Sequence, residues 1–158
     1  MTKPNDSGQA LLEIAFSFAF FLLLVFAVID FGFMFCSKLT LQNAVRQAGR
    51  YAITGQCITG SNGNCSQSRY QSIISVLETN SIGLINSSNV TSDVAITCIN
   101  EGGGCPNNAG GPGDTVIITV TYPYPFLTPL IAPFFPNHSY TVNVSAAFTN
   151  ESFAPGQS

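Results

Sequence analysis

From Leu11 to Phe35 the chain is Leu, Ile, Val, Phe and Ala almost without a break, interrupted by Glu13, Ser17, Asp30 and Gly32. A run of this length is long enough to cross the hydrocarbon core of a bilayer as a helix. About seventeen Leu, Ile, Phe and Val residues contribute roughly −0.3 to −0.6 kcal/mol each, against two acidic groups costing at most ~3.5 kcal/mol each at mid-bilayer. Insertion survives both carboxylates. The alternative, a secretory signal peptide, fits poorly. The apolar region is about twice the usual length and ends without an A-x-A-like site.

Removing such a helix from 158 residues leaves roughly 120, enough for one small domain with a modest core. Charged residues are 8% of the chain and the net charge is −3, so no broad basic surface exists to neutralise nucleic-acid phosphates. The remainder is rich in Ser, Asn, Thr and Gly, a polar, weakly charged composition suited to an extracellular surface.

The cysteines point the same way. Cys57 and Cys65 bracket one short Gly/Asn/Ser loop, Cys98 and Cys105 bracket another, and Cys36 stands alone at the helix exit. Two local disulfides are the simplest pairing, although four cysteines permit three. Closing so small a loop is worth roughly 2.5 kcal/mol in the chain-entropy model. Zinc is the competing use, but no C-x-x-C is present and His138 is the single histidine, so no metal or other cofactor is expected. Disulfides would put the carboxyl-terminal domain outside the cytoplasm. The charge bias runs against this orientation: Asp6 offsets Lys3 and the amino terminus, whereas Lys38, Arg46 and Arg50 follow the span.

Met1 to Gly8 is a polar leader in which Pro4 and Asp6-Ser7-Gly8 discourage helix. Beyond Cys36, Leu41, Val45, Ala48 and Ala52 recur at helical spacing, so the first helix continues to a stop at Gly55, a residue suited to a left-handed cap. A helix from Gln9 to Thr54 would be about 70 Å long, more than a bilayer is thick. Its outer part therefore belongs to the exported domain, where Ala44, Ala48 and Ala52 form either the seat of a sheet or a subunit contact. Ser66 to Thr79 reads as a second, shorter helix with Tyr70, Ile73, Ile74 and Leu77 on one face.

Asp93 to Ile99, Thr115 to Tyr122 and Tyr140 to Phe148 alternate β-branched or aromatic residues with polar ones, as half-buried antiparallel strands do. The expected fold class is α+β: a long amino-terminal helix, a short helix and a three-stranded sheet covered by the outer part of the first helix. The Gly-rich stretch Glu101 to Asp114 lacks G-K-[ST] and G-x-G-x-x-G and is expected to be a flexible connector. Tyr122 to Pro136 alternates five prolines with Tyr, Phe, Leu and Ile, too apolar for an ordinary exposed loop. It packs beside the sheet, touches the membrane interface or meets another subunit. No nucleophile, base or paired carboxylates form a catalytic set, so an enzyme is not expected.

Gly8, Glu13, the apolar run, Val28-Ile29-Asp30-Phe31-Gly32 and Leu41-Gln42-Asn43-Ala44-Val45-Arg46-Gln47-Ala48-Gly49-Arg50-Tyr51-Ala52 together resemble TadE-like proteins of bacterial tight-adherence pili. Tyr122-Pro123-Tyr124-Pro125 and Leu127-Thr128-Pro129-Leu130 also look like that family's strand-and-proline segment. The resemblance implies a pilin-like precursor with a leader at 1–8, a membrane helix at 9–36 and an exported domain at 37–158, whose first part, 37–55, continues the helix. It implies cleavage after Gly8 by a membrane prepilin peptidase, with Gln9 as the mature terminus, and a minor pilin or pseudopilin role in a surface adhesion filament. The implied partners are other pilin-like subunits and the secretion machinery.

Glycine at the scissile position suits entry of an extended backbone into a protease cleft. Glu13 then has a cation to meet, the freshly released amino terminus of a neighbour. Asp30 is either a tolerated charge at the outer end of the span or a contact with a partner. A polar Gln9 departs from the aromatic that many type IV pilins place there. The competing function is a single-span anchored receptor or binding domain, which would keep Met1 to Gly8.

Overall fold

The computed structural model describes residues 6–59, 67–100, 103–106, 109–129 and 131–152, and the side chains of all of these except 6–7 and 103–106. The chain divides into two compact units, one of residues 1–35 and 124–140, the other of residues 36–123 and 141–158.

The first helix, α1, runs without interruption over Asp6–Ile53. It starts two residues before Gly8, where the sequence pointed to non-helical chain. Asp and Ser are favoured at helix starts because they satisfy or attract the unpaired N–H groups of the first turn. At its other end Thr54 leaves the helix and Gly55 takes φ +67°, its N–H donating to the Ala52 carbonyl at 3.2 Å. That is the left-handed stop anticipated from the sequence.

In the larger unit the second helix, α2, spans Arg69–Asn80. Ser68 is its N-cap, the hydroxyl accepting the Gln71 N–H at 3.3 Å, while the expected start at Ser66 lies outside the described residues. One further turn, α3 at Val90–Asp93, leads into strand β1, Val94–Asn100. Strands β2 (Gly103–Pro106), β3 (Thr115–Pro125) and β4 (Ser139–Thr149) complete a sheet of order β2-β1-β3-β4. The three expected strands are present. The fourth, β2, corrects the reading of 101–114 as a connector: its backbone pairs antiparallel with β1, an interaction that needs no side-chain pattern and so leaves none.

β1 and β3 pair antiparallel, with Val94 opposite Val120, Ile96 opposite Ile118 and Cys98 opposite Val116. All six side chains are buried, so one face of the sheet is apolar and continuous. Val142 and Val144 extend that face onto β4. The other face is polar, with hydroxyl contacts from Thr119 to Ser145 at 3.0 Å and Thr115 to Thr149 at 3.5 Å.

Leu41, Ala44, Val45, Ala48 and Ala52 of α1 are fully buried in this unit, as are Ile73 and Leu77 of α2. A Cβ on Gly49 would fall 2.2 Å from the Phe148 ring, so the ring packs directly over the glycine and would have to move for any larger residue. The alanine strip of Ala44, Ala48 and Ala52 is thus covered within the chain.

Two buried polar groups hold the ends of these elements. Arg69, 3% exposed, donates from Nη1 to the Gly110 carbonyl and from Nη2 to the Ala52 carbonyl at 3.0 Å and the Ala109 carbonyl at 3.4 Å. Burial pulls its guanidinium below the ordinary arginine value. Asn150 donates to the same Ala109 carbonyl at 3.0 Å and to Gly111 at 2.8 Å. The end of α1, the start of α2, the loop before β3 and the end of β4 thereby share one hydrogen-bonded knot.

Candidate functional site

Gly8, Gln9 and Glu13 lie in the first turns of α1, all exposed. Gln9 and Glu13 are four residues apart and so share one helical face. A Cβ at Gly8 would meet nothing within 4 Å, which means that packing inside the chain does not demand glycine there. The N–H groups of a first helical turn have no intrahelical acceptors, so opening this turn to an extended strand costs little.

The rest of α1 through the apolar run presents Leu11, Leu12, Ile14, Phe16, Phe18, Phe20 and Phe21 outward, each more than half exposed. Between Gly8 and Phe33 the side chains that are not exposed are Leu22, Val25, Phe26, Ala27 and Asp30. This outer apolar surface is long enough and apolar enough to cross a membrane.

Asp30 is the exception to that surface, with no exposure at all. Its Oδ1 accepts the Leu127 N–H at 2.9 Å, its Oδ2 accepts the Thr128 hydroxyl, and its carbonyl accepts the Tyr124 hydroxyl at 3.5 Å. The sequence offered a tolerated interfacial charge or a contact with a partner. The structure supplies partners from within the same unit, in the Pro/aromatic segment. A carboxyl group inside an apolar span is costly unless hydrogen-bonded, and here both oxygens are engaged.

The segment itself is stiffened by aromatic contacts: Tyr124 edge-on to Phe126 at 6.0 Å, Phe126 against Phe135 at 4.5 Å and Phe135 edge-on to Tyr140 at 6.4 Å. Asn137 and His138 both take φ +54°, turning the chain back into β4.

Cys36 is a free, exposed thiol. Cys57 and Cys98 are disulfide-bonded. Cys65 and the Cys105 side chain lie outside the described residues, although the Cys105 backbone stands opposite Cys98 in the β1–β2 register. Among the described residues no group of three or more His, Cys, Asp or Glu is placed to hold a metal ion. In the larger unit a polar cleft of about 320 Å³ lies between Lys38, Gln42, Val45 and Arg46 of α1 and Asn143–Ala146 of the edge strand β4. Among the described residues Arg69, Ser72, Ser81 and Asn150 are buried polar residues that sequence reasoning missed. Arg69 had a readable signal, since it precedes Ile73 and Leu77 by four and eight positions on one helical face.

The fold is α+β, with a membrane-length apolar helix at the amino-terminal end of the chain. Residues 8–50 match the family model described as TadE-like protein. No curated protein and no solved structure matches the chain. The match covers the apolar helix and its continuation, and that helix is long and apolar enough to cross a membrane.

Proposed function

We propose that this chain is a minor pilin or pseudopilin that takes part in assembling a tight-adherence surface pilus. The observation that carries the reading is the TadE-like match over residues 8–50, which falls on one continuous helix and includes Gly8 and an exposed Glu13 five positions later. A prepilin peptidase cuts after Gly8 and leaves Gln9 as the mature terminus. Glu13 then meets the amino terminus of a neighbouring subunit, a cation that offsets the cost of a carboxylate in lipid. The domain at 37–158 stands outside the cytoplasm, stapled by Cys57–Cys65 and Cys98–Cys105. Its partners are pilin-like subunits and the secretion machinery, and it works as a structural subunit without cofactor or catalytic site.

Intact-mass analysis of the membrane-extracted protein tests this. The expected chain starts at Gln9, and Gly8→Phe blocks the cut. A protein that retains Met1 to Gly8 in cells with active prepilin peptidase overturns the assignment and favours an anchored receptor.

A further inference from the structure

We propose that the Pro/aromatic segment 126–135 is a second membrane contact, seated in the outer interface of the bilayer and pinned there by Asp30. The proposal rests on α1 spanning the membrane. Leu11 to Asp30 covers about 30 Å of helix, the thickness of the hydrocarbon core, so Asp30 falls at its outer boundary. The hydrogen bonds from Leu127 and Thr128 fix the tip of the segment at that level. Covered residues on the helix reach from Asp30 back to Phe26 and Leu22, and in this unit the chain beside α1 is 124–140.

Two further features suit lipid. Leu127 is 62% exposed and Phe134 77% exposed, large apolar side chains left open in the same unit as the exposed Val28, Ile29 and Phe31 of α1. Backbone donors, which lipid cannot satisfy, are few. Pro125, Pro129, Pro133 and Pro136 have none. The N–H groups of Phe126, Leu127, Ala132, Phe134, Phe135 and His138 are bonded within the unit, to the His138 carbonyl, Asp30, Thr128, Ile131, Ala132 and Phe135 respectively. Tyr140, half-exposed, carries the amphipathic ring expected at a headgroup boundary.

The chain contains no tryptophan, so single indoles report depth without background. Phe134→Trp, Phe21→Trp and Ile99→Trp are made in the full chain and reconstituted into vesicles whose acyl chains are brominated either near the headgroup or near the tail end. Tail-end bromine is expected to quench Phe21→Trp, and near-headgroup bromine to quench Phe134→Trp with a blue-shifted emission. Ile99→Trp, on a strand of the polar domain, responds to neither. Adding Asp30→Ala to Phe134→Trp is expected to abolish the quenching and return the emission to that of Ile99→Trp, whereas Asp30→Asn, which keeps an acceptor for Leu127, loses less.

Phe134→Trp behaving like Ile99→Trp while Phe21→Trp is quenched overturns the proposal and leaves the spanning helix intact. An unquenched Phe21→Trp overturns both. A blue shift of Phe134→Trp without bromine quenching places the ring in protein rather than lipid and likewise overturns the proposal. Full quenching that survives Asp30→Ala removes the pin.

Discussion

Arg69 is the residue whose replacement separates a functional cation from a structural one. Its guanidinium spans three carbonyls, those of Ala52, Ala109 and Gly110. Hydrogen bonds from a charged donor are worth roughly 1.5–3 kcal/mol each, so simple addition suggests a loss of ~5 kcal/mol or more. Two corrections lower it. The Ala52 carbonyl also accepts the Gly55 N–H at 3.2 Å and the Ala109 carbonyl also accepts Asn150 Nδ2 at 3.0 Å, so neither is stranded when Arg69 goes. Burying a guanidinium also carries a desolvation cost, visible in its lowered pKa, which an apolar replacement removes. Arg69→Met, similar in length, is therefore expected to cost about 2–3 kcal/mol, roughly 30- to 150-fold in the folded-to-unfolded ratio. Arg69→Lys is expected to do no better, because one strongly hydrated ammonium cannot fork across carbonyls from two segments. Pulse proteolysis of the detergent-solubilised chain across a urea series reads the difference. A loss under ~0.5 kcal/mol for Arg69→Met, or full recovery with Arg69→Lys, would refute the clamp.

Glu13→Leu is expected to insert and be processed normally but to co-purify with the pilus components at least about tenfold less, the equivalent of ~1.4 kcal/mol, with Glu13→Gln close behind. Undiminished assembly with Glu13→Leu would show the charge to be dispensable. Non-reducing peptide mapping is expected to recover Cys57 with Cys65 and Cys98 with Cys105, and Cys36 as a free thiol; crossed pairs would redraw the domain. Burial raises the Tyr51 phenol above its ordinary 10.0, with a contact to Ser72 pulling the other way. Unfolded Tyr51 loses its proton first as pH climbs past about 10, while the folded form holds it, so stability falls from there toward the raised value. Tyr51→Phe is expected to flatten that alkaline limb in urea midpoints measured between about pH 9 and 11, and an unchanged limb would exclude Tyr51 as its source.

Periodic features of this chain were legible because burial acts on them one face at a time. Leu41, Val45, Ala48 and Ala52 repeat every three or four positions and are all buried, and Val94, Ile96 and Cys98 repeat every second position and line one face of the sheet. Gly55 was readable for the same local reason, a positive φ that few other residues accept. Strand β2 was not, since Gly103–Pro106 joins the sheet by backbone pairing with β1, which leaves no hydrophobic pattern in the sequence. The buried face of α2 is also turned from the expected one, because Arg69 and Ser72 are buried with Ile73 and Leu77 while Tyr70 and Ile74 are only partly covered. A hydrophobicity pattern reads Arg as outward, although its four-residue spacing from Ile73 puts Arg69 on the buried face, where the carbonyls of Ala52, Ala109 and Gly110 receive it.

Asp30 poses the same problem on the functional side. Its partners stand 97 and 98 positions away in sequence, so no spacing could name them. What the sequence does hold is placement: Phe26, Asp30, Met34, Ser37 and Leu41 follow one another at three- and four-residue steps, and every one is covered at least in part. A lone carboxyl group on the covered stripe of an otherwise exposed apolar helix has to find donors on whatever covers it. Proline-rich chain is well suited to the task, because it brings few unsatisfied N–H groups of its own into lipid and can spend those it has on the carboxyl oxygens. Asp30 and the proline segment thus explain each other: the acid is tolerated in the span because Leu127 and Thr128 reach it, and the segment is held beside the helix because the acid is there.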